Sequence, residues 1–163
     1  MFYIQLIGLL AFCILVLSFY KKDIKVNLVY QITANFIYAV HYFLLGGLSG
    51  TFISLIGILR NILLIKVKNN KIIIPILCIP LYLLITILFY EKVYSIFPMV
   101  GNALYLYFLL KNNRKSLLIG SIINSIFWIL YAIFISSYVT MITESIIIIS
   151  NSIQLVKSIK KSN

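Results

Sequence analysis

Apolar runs fill almost the whole of this sequence and leave only short charged or polar breaks between them. The mean hydropathy over the 163 residues is +1.09, and 63% of the residues are hydrophobic. A water-soluble domain of this size could not hide so many apolar side chains, because small folds keep much of their surface exposed. Continuous apolar runs of about 18 residues or more are typical of membrane-spanning helices, whereas β-barrels show alternating patterns. The sequence therefore predicts an all-α polytopic membrane protein.

The breaks divide the apolar runs into seven predicted transmembrane helices. Their approximate bounds are 1–20, 26–45, 48–67, 72–90, 93–110, 117–135 and 138–156, followed by a short basic tail at 157–163. Pro75 and Pro80 predict that the fourth helix bends in its first half or starts late. The first run lacks a preceding basic segment and a small-residue cleavage site, so we interpret it as a helix rather than a signal peptide.

Basic residues lie almost entirely on one side of the predicted membrane. Twelve of the fourteen Lys and Arg residues fall in the first, third and fifth loops and the tail or, in the case of Lys66, at the helix end beside the third loop. Lys92 lies on the opposite side, and Arg60 lies within helix 3. Cytoplasmic loops are rich in Lys and Arg, which predicts an outside N-terminus and a cytoplasmic C-terminus. We expect the net charge of +11 to contact anionic lipid headgroups, and we expect no nucleic-acid partner.

The segment from Lys21 to Lys66 is echoed 90 positions later, from Lys111 to Val156. Each copy has a basic loop, an apolar span with polar and aromatic residues, a very short uncharged turn and a second apolar span. This offset predicts a first three-helix bundle at 1–67, a connector helix at 68–91, and a second three-helix bundle with the tail at 92–163. Parallel repeats of this kind are a transporter architecture, with a solute site between the halves.

The stretch Phe127-Trp128-Ile129-Leu130-Tyr131-Ala132 is similar to the Trp-x-x-Tyr-Gly stretch of the SWEET and SemiSWEET solute transporters, with Ala in place of Gly. The layout of the chain also resembles that class. In SemiSWEET-like proteins a Trp on the second helix of a bundle and an Asn on the third meet the solute. The resemblance implies this role for Trp128 and, 16 residues on, for Glu144, and the same spacing joins Tyr38 to Ser54. Glu and Ser in place of Asn argue against a sugar as the solute.

Two further segments, Asn35 to Asn61 (NFIYAVHYFLLGGLSGTFISLIGILRN) and Ile142 to Asn151 (ITESIIIISN), resemble the YgjV family of bacterial inner-membrane proteins more closely. That resemblance implies a multi-pass protein of the bacterial cytoplasmic membrane. It brings no catalytic residues with it.

One acidic residue, Glu144, and one arginine, Arg60, lie within predicted helices. Glu144 is about 9 Å from the start of helix 7, at about 1.5 Å per residue. A carboxylate at that depth faces a cavity or a partner, so Glu144 is either a solute contact or proton-coupling site, or is paired structurally with Arg60 or His41. Arg60 lies nearer the cytoplasmic end of helix 3, where it could line an inner gate or extend to the interface.

Three aromatic residues and the single histidine are further candidates for the solute site. Trp128, Tyr38 and Tyr131 could stack on a ring-shaped or cationic solute, and the alternative is the aromatic belt at the membrane interface. His41 either belongs to the pocket or forms a hydrogen bond between helices.

Amides within the apolar spans are either pocket residues or helix–helix contacts. Asn35 and Asn124 are pocket candidates, whereas Asn61 and Asn151 are better explained as contacts between helices. Pro98 is a candidate hinge.

These features predict a carrier of a small polar solute, and the alternative is a non-transporting accessory or receptor-like membrane protein. Neutral or weakly cationic solutes are favoured because Glu144 is the one deep acid, whereas an anion would need Arg60 in the pathway. A carrier of vitamin precursors, similar in topology to the nicotinamide-riboside class, is the nearest alternative for the solute. We expect no enzyme, cofactor or metal, since there is one His and no acid cluster, and Cys13 and Cys78 are packing residues.

Overall fold

The computed structural model describes residues 1–19, 23–67, 71–111 and 113–160, which form seven α-helices. The helices are α1 (Phe2–Phe19), α2 (Ile24–Leu44), α3 (Leu48–Lys66), α4 (Ile73–Leu88), α5 (Ile96–Leu110), α6 (Arg114–Phe134) and α7 (Tyr138–Lys160). All seven predicted helices are present. Several bounds differ by two to four residues. α2 and α6 begin earlier than predicted, at Ile24 and Arg114, and α4 ends earlier, at Leu88. The fifth helix begins as a 3-10 turn, Val93–Ser95, and α7 continues into the predicted tail. Four basic residues of the predicted loops and tail, at positions 21, 22, 68 and 161, lie outside the described ranges.

Four of the described helices are long and apolar enough to cross a membrane. These spans are Leu48–Lys66, Val93–Leu110, Lys115–Phe134 and Tyr138–Ser158, and Phe2–Ser18 and Ile73–Leu88 are shorter apolar helices. Side chains are distributed as in a lipid-facing protein. Ile87 and Phe36 are 74% and 58% exposed, whereas Arg60 and His41 are buried. Ionisable groups inside membrane proteins turn inward in this way.

Both predicted prolines lie within the fourth helix, which starts slightly late. α4 begins at Ile73, one residue later than predicted. Pro75 is its third residue, where the missing N–H has no intrahelical partner to lose. Pro80 lies inside the helix and leaves one carbonyl of the preceding turn without its backbone donor.

Two tight turns join α2 to α3 and α6 to α7. Gly46 has a φ of 80° and Ser136 a φ of 56°. In each turn the next amide, that of Gly47 or Ser137, donates to the carbonyl five residues back at 2.9 Å. This pattern satisfies carbonyls at the end of the preceding helix. We call the end of the molecule that carries both turns the turn end.

The helices pack around a central space. α2 lies between α1 and α3, and α6 lies between α5 and α7. α1 also contacts α7, and α3 also contacts α5, so these six helices form a ring. α4 packs against α3 and α5, on the outside of one of the two places where the ring closes.

The ring closes between α1 and α7 and between α3 and α5. At the turn end, a polar side chain forms hydrogen bonds across each of these two closures. At the α1–α7 closure, Gln5 donates to the Ser136 carbonyl at 3.0 Å and accepts from the Val139 amide at 3.3 Å. At the α3–α5 closure, the Glu91 carboxylate accepts from the Leu48 amide. The first amides of a helix have no partner within it, so both contacts cap a helix, α7 and α3 respectively.

Candidate functional site

A cavity of about 140 Å³ lies inside the ring of helices. It has room for several waters or a small solute. Residues three or four positions apart line it, so α2, α3 and α6 each present one face. The wall consists of Leu15 (α1), Gln31, Asn35, Tyr38 and Tyr42 (α2), Ile53, Ser54, Gly57 and Arg60 (α3), Asn102 and Tyr105 (α5), Ser121, Asn124, Ser125 and Trp128 (α6), and Glu144 and Ile147 (α7).

Three stacked rings form the aromatic part of the wall and join α2 to α6. The centroids of Tyr38 and Tyr42 are 5.8 Å apart, and those of Tyr42 and Trp128 are 5.2 Å apart, with nearly parallel planes in both pairs. The Tyr38 hydroxyl and the side-chain oxygen of Asn124 are buried and have no hydrogen-bond partner among the described residues. The wall therefore holds both aromatic faces and unused hydrogen-bonding capacity.

Arg60 lies in the cavity wall rather than extending to the membrane interface. It is 8% exposed, and its guanidinium donates to the side-chain oxygens of Asn61 and Asn102, each at 3.3 Å. The guanidinium also lies 5.1 Å from the centre of the Tyr105 ring. All of these partners are neutral.

Glu144 lines the same cavity from α7. Its carboxylate is within hydrogen-bonding reach of the Ser125 hydroxyl, and it lies close enough to Tyr38 to act on it electrostatically. The two structural partners considered for it, Arg60 and His41, are bound to other groups. The wall therefore carries one acid and one base that are not joined to each other.

His41 lies outside the cavity lining, at its turn end, and is fully buried. Its Nδ1 donates to the Ile4 carbonyl at 2.8 Å, and its Nε2 is 2.7 Å from the Ser137 hydroxyl oxygen. Ser137 is in turn 2.7 Å from the Thr140 hydroxyl, which is 3.1 Å from the Tyr42 hydroxyl. This chain of hydrogen bonds links α1 and α2 to the start of α7.

Tyr131 also lies outside the cavity lining. Its side chain extends from α6 to the start of α3, next to the first tight turn. Its hydroxyl accepts from the Gly50 amide at 3.0 Å and from the Ser49 hydroxyl at 3.2 Å. A Cβ atom at Gly47 or Gly50 would collide with the Tyr131 side chain. Both glycines are therefore required for this close approach.

Asn61, Asn151 and Pro98 lie behind the cavity wall. The Asn61 amide donates to Gln31 at 3.4 Å, and the Asn151 amide donates to Ser121 at 2.8 Å. Each bond joins adjacent helices, α2 to α3 or α6 to α7. Pro98 is buried, and its carbonyl accepts from Asn102 at 2.9 Å.

Six of the eight residues predicted to contact solute line the cavity, namely Tyr38, Ser54, Asn35, Asn124, Trp128 and Glu144. Among the wall residues that sequence reasoning missed, Gln31 and Tyr42 extend the Asn35–Tyr38 face of α2 by one turn on either side. Ser121 and Ser125 lie 90 positions after Gln31 and Asn35. Following the helical face and the offset together would have found all four.

The described ranges hold no group of three or more His, Cys, Asp or Glu side chains that could bind a metal ion. Cys78 is buried and Cys13 is exposed, and both are free thiols.

Comparison with known proteins identifies the family. No curated protein and no solved structure is significantly similar to this chain. The profile of Imp-YgjV, described as a bacterial inner membrane protein, matches residues 2–162. The predicted location in a bacterial inner membrane is thereby confirmed. The chain belongs to the Imp-YgjV family of bacterial inner membrane proteins.

Proposed function

We propose that this protein is a carrier that moves a small polar solute across the bacterial inner membrane by alternating access. The observation that carries this proposal is the polar cavity inside the ring, to which helices from both halves of the chain contribute. Polar groups within a membrane protein mark solute pathways, because they are costly in lipid. The function consists of binding and translocation, with no catalytic step.

A duplicated, SWEET-like organisation supports the proposal. In it, the bundles 1–67 and 92–163 are parallel repeats joined by the connector 68–91, and all seven helices cross the membrane. Gly46 and Ser136, the two described residues with positive φ, are 90 positions apart. The same offset relates Asn61 to Asn151 and their respective partners, Gln31 and Ser121. Parallel repeats place a solute site between the halves.

The pairs expected to meet solute in a SWEET-like carrier also support the proposal. Tyr38 and Ser54 line the cavity from the first half, and Trp128 and Glu144 line it from the second. Each pair is separated by 16 positions. The absence of Asn from both pairs favours a solute other than a sugar.

The distribution of basic residues favours an outside N-terminus, which places the turn end outside and α7 with its C-terminal lysines at the cytoplasm. Among the described residues, side-chain bonds between the two halves concentrate at the turn end, as in the pairs His41–Ser137, Tyr42–Thr140 and Gly50–Tyr131. At the other end the corresponding bond is Arg60–Asn102. We therefore assign this conformation to an outward-closed state, from which the turn end must separate for exchange with the outside.

The test is solute permeation into proteoliposomes, followed by light scattering after an osmotic upshift with a panel of sugars, polyols, amino acids and nucleosides. A carrier accelerates the recovery of vesicle volume for at least one solute class relative to empty vesicles. Trp128→Ala, in the cavity wall, abolishes the acceleration. Leu104→Ala, a lipid-facing change on α5, leaves it unchanged.

If wild-type vesicles match empty ones for every class, the carrier proposal is wrong. The accessory or receptor-like function then takes its place. The stacked rings in the cavity wall would in that case be sealed packing between the two halves.

A further inference from the structure

An acid and a base share the cavity without forming an ion pair. Arg60 faces it from α3 and Glu144 from α7. Arg60 is held by the amides of Asn61 and Asn102, and Glu144 by the hydroxyl of Ser125. Neutral partners satisfy hydrogen bonds but leave the charges uncompensated, which is costly in a membrane interior. A ligand that carries the two complementary charges would compensate both.

The two charges lie at different levels along the cavity. In the 90-residue correspondence Glu144 is equivalent to Ser54, and Arg60 follows Ser54 by six positions. Six residues advance an α-helix by about 9 Å. The ligand's charges are therefore separated by several bonds rather than carried on one carbon.

The wall beside Glu144 suits a cation. Tyr38, which lies close enough to Glu144 to interact with it electrostatically, and Trp128 line the same cavity, and aromatic rings attract ammonium groups. The buried Tyr38 hydroxyl lies near Glu144 and Thr143 and makes no well-formed hydrogen bond to a described residue. Carboxylate, hydroxyl and ring face together form a site for an ammonium group.

The wall around Arg60 suits a carboxylate. A guanidinium has five N–H donors, and two of those of Arg60 are used by Asn61 and Asn102. The remaining donors can bind a carboxylate in a bidentate, charge-assisted manner.

We propose that the cavity binds a flexible organic zwitterion of the ω-amino acid type, with its ammonium group at Glu144 and its carboxylate at Arg60. This inference rests on the proposed function and specifies its solute class. It replaces the expectation of a neutral or weakly cationic solute, because the structure places Arg60 in the cavity wall.

The test uses the single tryptophan of the chain, Trp128, as a reporter in the cavity wall. Its fluorescence in the purified wild-type protein is titrated with glycine, 4-aminobutanoate, 5-aminopentanoate and 6-aminohexanoate. Matched controls are pentylamine, pentanoate and 1,5-pentanediol, which lack one charge or both. The five- and six-carbon amino acids are expected to bind at least tenfold more tightly than glycine and each control.

Charge-removing variants assign the two ends of the ligand. Glu144→Gln is expected to weaken the binding of 5-aminopentanoate and pentylamine at least tenfold and to leave the binding of pentanoate unchanged. Arg60→Gln is expected to weaken the binding of 5-aminopentanoate and pentanoate and to leave the binding of pentylamine unchanged. Lys157→Gln, an exposed change near the end of α7, is the matched control and alters none of them. The wild-type series decides the question even if a variant fails to fold.

The outcomes separate this inference from the carrier proposal. If 1,5-pentanediol or sugars bind as well as the zwitterions, or if no member of the series changes the fluorescence, the zwitterion inference is overturned, while permeation of another solute class still supports a carrier. If 5-aminopentanoate binds as expected but does not permeate proteoliposomes, the zwitterion site stands and the carrier proposal fails for this solute.

Discussion

The side chains of His41 and Tyr131, which are 90 positions apart, each reach across the turn end of the ring and form a hydrogen bond with the opposite half. The His41 ring reaches Ser137 at 2.7 Å, and the Tyr131 hydroxyl accepts from the Gly50 amide at 3.0 Å. Unlike side chains thus make corresponding contacts from the two halves. Both lie outside the cavity lining, and we infer that they close its turn end rather than contact solute.

Tyr131→Phe is expected to loosen this closure, because it leaves the Gly50 amide without its acceptor. The measurement is labelling of Ser54→Cys in the cavity wall by a membrane-impermeant maleimide on intact cells, with Cys13 and Cys78 replaced by Ala. Labelling is expected to be several-fold faster with Tyr131→Phe. Tyr138→Phe, a lipid-exposed tyrosine at the same end, is the control. Equal labelling rates in all three proteins would show that Tyr131 does not close the cavity.

Gly50→Ala is expected to lower the free energy of unfolding by about 1–3 kcal/mol, because the new methyl group collides with the Tyr131 ring. Unfolding in mixed micelles with increasing denaturing detergent measures this change. Tyr131→Ala is expected to remove most of the cost of Gly50→Ala in a double-mutant cycle. Strictly additive effects of the two changes would contradict the close contact.

Ser136→Gly is expected to stabilise the protein by roughly 0.5–1 kcal/mol, because Ser136 has a φ of 56°, a region that glycine adopts at lower cost. Gly46→Ser, at the corresponding position of the first turn, is expected to destabilise the protein by a similar amount. Its side chain would enter open space, so the effect isolates the backbone. Thermal unfolding of both variants beside wild type tests the expectation, and a loss of stability in Ser136→Gly would refute it.

Asn61→Leu and Asn151→Leu form a matched pair at corresponding positions. Asn151→Leu removes one helix–helix hydrogen bond and is expected to cost about 0.6 kcal/mol of stability, with ligand binding unchanged. Asn61→Leu also releases the Arg60 guanidinium, so it is expected to weaken the binding of pentanoate and 5-aminopentanoate as well. Identical binding by the two variants would mean that Asn61 does not position Arg60.

The sequence was sufficient to predict the number of helices, because each apolar run ends at a polar or charged break. It also predicted half of the aromatic and amide residues of the cavity, namely Tyr38, Trp128, Asn35 and Asn124, because polar groups in a lipid-facing helix need somewhere inward to point. The missed residues Gln31 and Tyr42 lie on the face already identified by Asn35 and Tyr38.

Other features depended on contacts between distant segments. The sequence allowed two roles each for His41 and Arg60. Only the packing of α1, α5 and α7 around these residues distinguishes between the two roles. The caps provided by Gln5 and Glu91 could not be predicted, because their amide partners are 134 and 43 positions away, respectively.

The caps from Gln5 and Glu91 also bear on the speed of movement. Separation of the ring at the turn end would withdraw acceptors from the first amides of α7 and α3, in surroundings where water is scarce. Separation at the other end leaves both caps in place. The activation enthalpy for turn-end opening is therefore expected to be the larger of the two. In the proposed orientation, cooling then slows exchange with the outside more than exchange with the cytoplasm.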